Sequence, residues 1–592
     1  MGFIKKNWPV LALITIGFFI FSFNLHNGLF WDDDDWILNN QFVHSISWSN
    51  VKFWFTHNTL AGVGLKSNYY RPFLFFTFAV NYVIADVKPF GYHLLSNLIH
   101  IGSGILIFYI LSIFFKRRTV PFLTALFFLI HPLQTEAVTY IAGRGDPLYV
   151  FFLLLALWSF IKAEAGGRKL TYRLLSVGSL VLALLSREVA IIFPLLLVAF
   201  YLAFFRKTTF WRSLLRGTVI SAPYFAVVVF YGILRLTALN FLNTLNFYSV
   251  HNVYADHLYV RLFTFLKVLT VYLGLLFVPV GLHMDRSMEP QLSLWKWPVW
   301  AVFLGLTTLV VWLMFLYKKE QAARSKPQDS HPSSFSVWFF GISWFFIGLA
   351  PVSGITPINA LLYEHWLYLP TIGFFFIVSF YLDKLLNFLK ENKKPVLFGL
   401  VVSLLCVYFV FLGVQSVRRN VLWGKPLNFY LDILKYESDS VRVNNNVGNL
   451  YFYQGDTDKA QEFYQKAVDS EDIFPQPHFN LGSILQSKGD IYGAIQEYEK
   501  AVKLDPNFYY PYPNLVSIYA RQGNLEKASA YITKLDELRP NDPRILYNVA
   551  LLYAAQGNFV LALQKAKQGL VYTGTDAEVR KALEEIIDRL TK

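Results

Sequence analysis

Cysteine is almost absent. The 592-residue chain has one, Cys406, inside an apolar run. An intrachain disulfide framework and a cysteine-based metal site are both excluded. Charge is scarce as well: 16% of residues are Asp, Glu, Lys or Arg, against 55% hydrophobic. One soluble domain of this length does not carry that balance. No P-loop and no GxGxxG turn occurs, so neither an ATP nor a nucleotide-sugar site is indicated. The net charge is +14. However, the Lys and Arg residues flank apolar segments and form no basic helix with interleaved stacking residues. Membrane orientation accounts for them, and no nucleic-acid partner is expected.

What the chain has in plenty is apolar stretches near span length, rich in Phe and Tyr. Spans are predicted near 8–26, 92–115, 119–138, 148–163, 173–186, 189–205, 217–235, 295–317, 335–353, 367–383 and 396–416. Lys5 and Lys6 precede the first stretch, and no small-x-small cleavage site follows it. An uncleaved anchor is expected. Basic loops at Lys116–Arg118, Arg168–Arg173, Arg206–Arg216, Lys318–Lys326 and Lys390–Lys394 are assigned to the cytoplasm. The segments 27–91, 139–147, 186–188, 236–294 and 354–366 then fall outside, as does the C-terminal part. Residues 259–281 are apolar enough to span. A span there would move the basic loop after Lys318 outside, so a re-entrant or surface-lying helix is predicted, with a true span as the alternative.

Beyond Arg418 the composition turns polar and periodic. Gly455, Gly489, Gly523 and Gly557 are spaced by 34 residues, and so are Ala460, Ala494, Ala528 and Ala562. A 34-residue period with small residues at fixed positions is the tetratricopeptide signature. The predicted organisation is an all-α chain. A multispan membrane domain covers 1–417, a linker or partial capping repeat 418–440, and about four tetratricopeptide repeats 441–592. A stack of repeats presents a concave groove suited to a protein or peptide partner.

The segments assigned outside collect ionisable residues. The run "FWDDDDWILNN" holds Asp32, Asp33, Asp34 and Asp35; "YYRP" holds Arg71. "HPLQTEAVTYIAGRGDPL" holds His131, Glu136, Arg144 and Asp146; the next turn holds Arg187 and Glu188. Asp285, Arg286, Glu364, His365 and Tyr368 follow. Each has a structural alternative: a solvated acidic loop, a helix end at His131, an N-cap at Asp146, an internal pair at Arg187/Glu188, a headgroup anchor at Arg71. Their joint placement at one side is what points to chemistry. A carboxylate can accept a proton from an attacking hydroxyl, and arginines hold phosphate. Together at a lipid boundary they suit group transfer from a phosphate-linked lipid.

Six motifs in order, "WDDDDWILNN", "YYRPFLFFTFAVNY", "KPFGYHLLSNLIHI", "HPLQTEAVTYIAGRGDPL", "LLSREVA" and "YEHWLYLPTIGF", resemble the transmembrane and tetratricopeptide-repeat-containing O-mannosyltransferases. The resemblance covers essentially the whole chain. It implies a GT-C type helical membrane domain and a polyprenyl- or dolichyl-phosphate sugar donor, usually mannose. It also implies a Ser or Thr acceptor on protein, presented with the help of the repeats. The paired acids of that family fall on Asp32 and Asp33, with Asp33 preferred as base. The remaining positions place donor-phosphate or substrate contacts at Arg71, His131, Glu136, Arg144, Arg187, Glu188, Glu364, His365 and Tyr368. Two positions depart from the family pattern: Arg187 stands where Lys is usual, and His365 where Arg is usual. The latter weakens the expected phosphate site. Four Asp in place of two leave room for a divalent cation at Asp33 and Asp34.

Two other readings stand beside an enzyme acting on protein. One is sugar transfer to a glycolipid or envelope polymer; the other is a non-catalytic membrane scaffold working through its repeats. A transporter would need charges near mid-membrane. Short loops and the single cysteine favour a bacterial inner membrane over an ER membrane.

Overall fold

The computed structural model describes residues 2–65, 67–166, 168–205, 209–241, 252–323, 332–356, 358, 360–470, 473–573 and 577–591. Arg206, Lys207, Arg324 and Lys326 of the basic loops lie outside them. Two compact units emerge, Met1–Pro426 and Leu427–Lys592, and the described residues contain helices and no strands. The last apolar helix runs unbroken from Pro395 to Trp423, past the change in composition at residue 418.

In the first unit, ten helices are long and apolar enough to cross a membrane. An eleventh exists if Thr119–Ile130 and Pro132–Thr139, bent by 55°, count together. The span predicted at 119–138 is therefore broken. The cause is local: Pro132 cannot donate a helix hydrogen bond, and it pushes His131 into extended backbone, ψ 131°. His131 then caps the short helix that follows, its ring accepting the Leu133 N–H at 3.3 Å.

The helices Thr119–Ile130, Gly145–Glu164, Pro370–Glu391 and Pro395–Trp423 each have a basic loop near one end and candidate site residues at the other. Close packing fixes their relative heights. Gly341 and Gly373 sit so near that a Cβ on either would meet backbone oxygen within 2.7 Å. Gly348 faces Pro370, and Phe127 stacks on Phe375 with ring centroids 4.8 Å apart. Leu258–Phe277 is one continuous helix. Arg261, near its start, donates to Gly354 O at 2.7 Å. Tyr272 donates to Tyr363 O at 3.0 Å, and Leu276 O lies 3.3 Å from the His131 ring nitrogen. No break interrupts the helix, and it is itself one of the ten long and apolar enough to cross a membrane.

The second unit is a stack of helix pairs, Val441–Tyr453 with Thr457–Ser470, Pro475–Ser487 with Ile491–Leu504, Pro511–Arg521 with Leu525–Leu538 and Pro543–Ala555 with Phe559–Tyr572, followed by Ala577–Thr591. Gly455, Gly489, Gly523 and Gly557 all sit at φ between 73° and 87°, a region that costs other residues a steric clash. The four alanines at the 34-residue step are fully buried. At Gly482 an added Cβ would fall 2.8 Å from two Tyr498 ring carbons. Gly482→Ala is expected to destabilise the repeats by about 1–3 kcal/mol, read as earlier thermal unfolding and faster proteolysis between the repeats.

Candidate functional site

One stretch, residues 131–146, organises the site end of the first unit. It is buried almost throughout, and short helical turns interrupted at Pro132 and Tyr140 throw its side chains in three directions.

The first direction is toward the acidic run. Asp33 is 2% exposed. Its Oδ1 accepts the Ala142 N–H at 2.7 Å and its Oδ2 the Phe30 N–H at 3.4 Å. Burial, reinforced by Asp32 and Asp34, pushes this carboxyl up to about 8 in spite of those two donors. Asp32 is exposed and lies beside the buried Tyr140 phenol. Trp31, just before it, takes φ 64°, a strained conformation for an aromatic residue. Tyr140 in turn packs on Trp423, ring centroids 5.4 Å apart. Below them Thr139 donates to Asn420 Oδ1 at 2.6 Å, and Asn420 donates to Ile20 O at 2.8 Å. The first helix, the central stretch and the last helix are thereby tied together. The quartet of acids is thus split: one is a buried strap, while its neighbour stands in the open.

The second direction is toward two ion pairs. Asp146 pairs with Arg187, and Arg71 Nε pairs with Glu188 Oε2 at 3.1 Å. Glu188 Oε1 accepts the Tyr70 N–H at 2.7 Å. The Arg71 guanidinium lies over the Tyr69 ring at 4.6 Å and near Trp36 at 5.8 Å. Its two terminal nitrogens make no hydrogen bond among the described residues, and Arg71 lines a small pocket with Asn40, His57 and Asn58. Arg187 and Glu188 do not neutralise each other; each pairs with a different element.

The third direction is toward the loop before Pro370. Glu136 is 1% exposed and meets His365 twice, Oε1 to Nδ1 at 2.6 Å and Oε2 to the backbone N–H at 3.2 Å. Glu364, also buried, takes the His283 N–H at 2.7 Å and Arg286 at 3.0 Å on Oε1, and Arg419 at 3.0 Å on Oε2. Burial raises the Glu364 carboxyl, Arg419 and Arg286 pull it back, and Glu136 adds to the rise. The arginine expected at 365 is absent, yet Arg286 and Arg419 bring two guanidinium groups beside the Glu364 carboxylate.

Three expected substrate contacts lie in the packed interior. Arg144 is fully buried and bonded through all three nitrogens. It donates to Ser96, Thr77, Asn81 and Tyr92 O at 2.8–3.2 Å and packs on Phe78, so it braces the helices. His131 is a buried cap. The Tyr368 hydroxyl is 2.7 Å from His100 Nδ1 in the core. Glu136 and Arg144 do not pair, because the helix between them ends at Tyr140. Asp33 and Asp34 do not suit a shared cation: both Asp33 oxygens are taken by backbone N–H groups while Asp34 faces outward. Among the described residues no three His, Cys, Asp or Glu side chains form a ligand group.

Arg419 and Tyr140 escaped the sequence reading. Arg419 did leave a signal. It ends the last apolar stretch at the end opposite the basic loops, where a cation runs against the charge rule. Tyr140 left none, since one more tyrosine among 35 is unremarked.

Comparison with known proteins places these features. Tetratricopeptide repeat family models match residues 441–472 and 475–508, and a second such model matches 514–573. Protein O-mannosyl-transferase TMTC3 of Mus musculus is 24% identical over 480 residues, covering 76% of this chain and 50% of its own length. Protein O-mannosyl-transferase F38B6.6 of Caenorhabditis elegans is 24% identical over 481 residues, covering 79% of this chain and 63% of its own. The chain thus spans about half to two thirds of the length of these relatives. The crystal structure of MamA is 22% identical with a TM-score of 0.24, covering 26% of this chain and 89% of MamA. With ten or eleven helices of span length and relatives of this kind, the chain is a multi-pass membrane protein.

Proposed function

We propose that this relative of the protein O-mannosyl-transferases is itself a glycosyltransferase. It would move a sugar, mannose by analogy with the relatives' names, from a polyprenyl- or dolichyl-phosphate donor to Ser or Thr hydroxyls of protein. The reaction would take place at the bundle end opposite the basic loops, the periplasmic or lumenal side. The observation that carries the reading is the presence in one unit of an exposed carboxylate, Asp32, and an anchored arginine, Arg71, whose terminal nitrogens make no hydrogen bond among the described residues.

Asp32 acts as the base. It takes the acceptor hydroxyl proton as that oxygen attacks the sugar C1. The bond from C1 to the donor phosphate breaks, and the leaving lipid phosphate departs with its electron pair. Arg71 holds that phosphate. Glu188 fixes Nε and the Tyr69 ring supports the guanidinium plane, so the terminal nitrogens are pre-aimed. Asp33 positions the run by strapping it to Ala142 and does not touch substrate. The preference between the two acids therefore passes from Asp33 to Asp32, because a base must reach its proton.

The test uses the full chain in lipid nanodiscs with mannosyl-phosphoryl-polyprenol and a mixed periplasmic protein extract, read by mass spectrometry. Donor loss with hexose gain on Ser or Thr is the expected result. Donor loss onto lipid without protein product would replace the acceptor. No turnover with any lipid-phosphate sugar would leave the scaffold reading in its place. Arg71→Met is expected to raise the donor KM by at least about tenfold with smaller change in kcat, since the lost contact is made before the transition state as well as in it.

A further inference from the structure

The end of the first unit that carries the basic loops brings together two ammonium groups from separate helices. Lys384 lies on Pro370–Glu391 and Lys319 on Trp297–Ala323. Lys384 Nζ donates at 2.8 Å to the hydroxyl of Ser334, at the start of a third helix, Ser334–Leu349. The same Nζ lies over the Phe380 ring, 4.5 Å from its centroid, and 5.6 Å from that of Tyr381. Lys319 stands within electrostatic reach of it. Both lysines are exposed, and neither has a carboxylate partner among the described residues. Asp383, next to Lys384, accepts instead from Asn387 at 3.0 Å.

The bland account is the charge rule, which gathers cations at this end. It explains their number but not their placement. Like charges repel, so lysines with no task would spread apart. Lys384 is held by Ser334 and two rings, on helices whose spacing is fixed by the close contact of Gly341 and Gly373.

The surface beside the two ammonium groups indicates the ligand. Trp312, Phe315 and Lys319 follow one another at steps of three and four residues, so they share a helix face. The Trp312 and Phe315 rings stack with centroids 5.5 Å apart, and both are exposed on a helix that the rest of the unit leaves largely uncovered. On the other helix Tyr381 precedes Lys384 by three residues. Its ring is partly exposed, and its hydroxyl accepts the Trp338 indole N–H at 2.6 Å. Each lysine thus tops an aromatic strip open to lipid.

We propose that Lys319 and Lys384 bind the phosphate of an anionic phospholipid whose acyl chains run along the two strips. Paired ammonium groups complement one phosphate. A lysine stem laid on apolar rings is the geometry by which a cation reaches a headgroup from the edge of the hydrocarbon. A soluble anion would gain from the cations and nothing from the rings. The site lies at the bundle end opposite the candidate transfer site, and its test does not depend on the transferase reading.

The test places the full chain in nanodiscs of phosphatidylcholine, with and without phosphatidylglycerol. Native mass spectrometry after release counts the phosphatidylglycerol retained, and thermal unfolding reports the stabilisation that bound lipid confers. The wild type is expected to retain the anionic lipid and to unfold at higher temperature in its presence. Lys319→Gln/Lys384→Gln is expected to retain about tenfold less and to lose the shift, whereas Lys319→Arg/Lys384→Arg keeps both. Lys390→Gln/Lys394→Gln removes the same charge from the same end and should change neither. Lys319→Gln alone breaks no side-chain hydrogen bond among the described residues. It should cut retention about fivefold, which keeps the proposal open to refutation if Lys384→Gln does not fold. Equal loss in the Lys390/Lys394 pair would mean diffuse attraction and would overturn the site. Full retention in Lys319→Gln/Lys384→Gln would overturn it too. So would inorganic phosphate that shifts unfolding in phosphatidylcholine discs as far as phosphatidylglycerol does, since the rings would then contribute nothing.

Discussion

Asp32→Asn is expected to slow sugar transfer by about two to four orders of magnitude and to leave thermal unfolding unchanged. The carboxylate is exposed, Asn keeps an oxygen beside the buried Tyr140 phenol, and Asn cannot accept a proton. Asp33→Asn is expected to do the reverse. The amide oxygen can still receive the Ala142 N–H, so the strap survives and transfer falls only modestly. What changes is the pH dependence of stability. The Asp33 carboxyl stands near 8 in the folded chain against 3.8 for a free Asp. The folded state therefore holds the proton more tightly than the unfolded one, and this contribution to stability is fully present below about pH 4. It drains away as pH rises toward 8. Across that window the wild type should lose thermal stability relative to Asp33→Asn. A flat difference between the two melting curves from pH 5 to pH 8 would show that Asp33 is not enclosed as described. Equal loss of transfer in both variants would return the base to Asp33.

Arg419→Met is expected to destabilise the first unit by about 3–5 kcal/mol, because it strips one of two cations from a carboxylate that has no route to water. Glu364 is 1% exposed and its three donors come from two separate segments, His283 and Arg286 from one loop and Arg419 from the last helix. With Arg419 gone, burial and Glu136 are opposed by Arg286 and the His283 N–H, and the Glu364 carboxyl rises further. A raised carboxyl stabilises the fold at low pH and loses that effect as pH climbs, so the deficit of the variant should shrink in acid. Adding Glu364→Met should recover a large part of the loss. A double variant as unstable as the sum of both single changes would mean that the two residues do not act as a pair.

The two units differed in how far their sequences could be read. The repeats were legible down to single residues, since a glycine with φ above 70° every 34 positions declares its own geometry. In the membrane unit, hydropathy located the helices but not their breaks. The span at 119–138 looked continuous because Pro132 sits among apolar neighbours. Position along the chain gave the site end of Asp32, Arg71, Glu136 and Glu364, because charge near lipid is costly and so informative. It could not separate an exposed acid from a buried one inside "DDDD". Nor could it tell that Arg144 commits all three nitrogens to neutral partners, which only packing decides. The partners of Glu364 lie 78 and 55 residues away, a range no local pattern reaches.

The central stretch 131–146 has a practical meaning for anyone who would re-engineer this chain. Asp33, Arg187 and His365 are each fastened to a different residue of the same stretch: Ala142, Asp146 and Glu136. Such a site is not a set of exchangeable parts. Grafting the acidic loop, or swapping the His365 loop from a relative, changes the tension on the other two attachments. The unit of transplantation is the whole cassette from His131 to Asp146 with its three clients, and chimeras cut inside it should fail where chimeras cut at its borders fold.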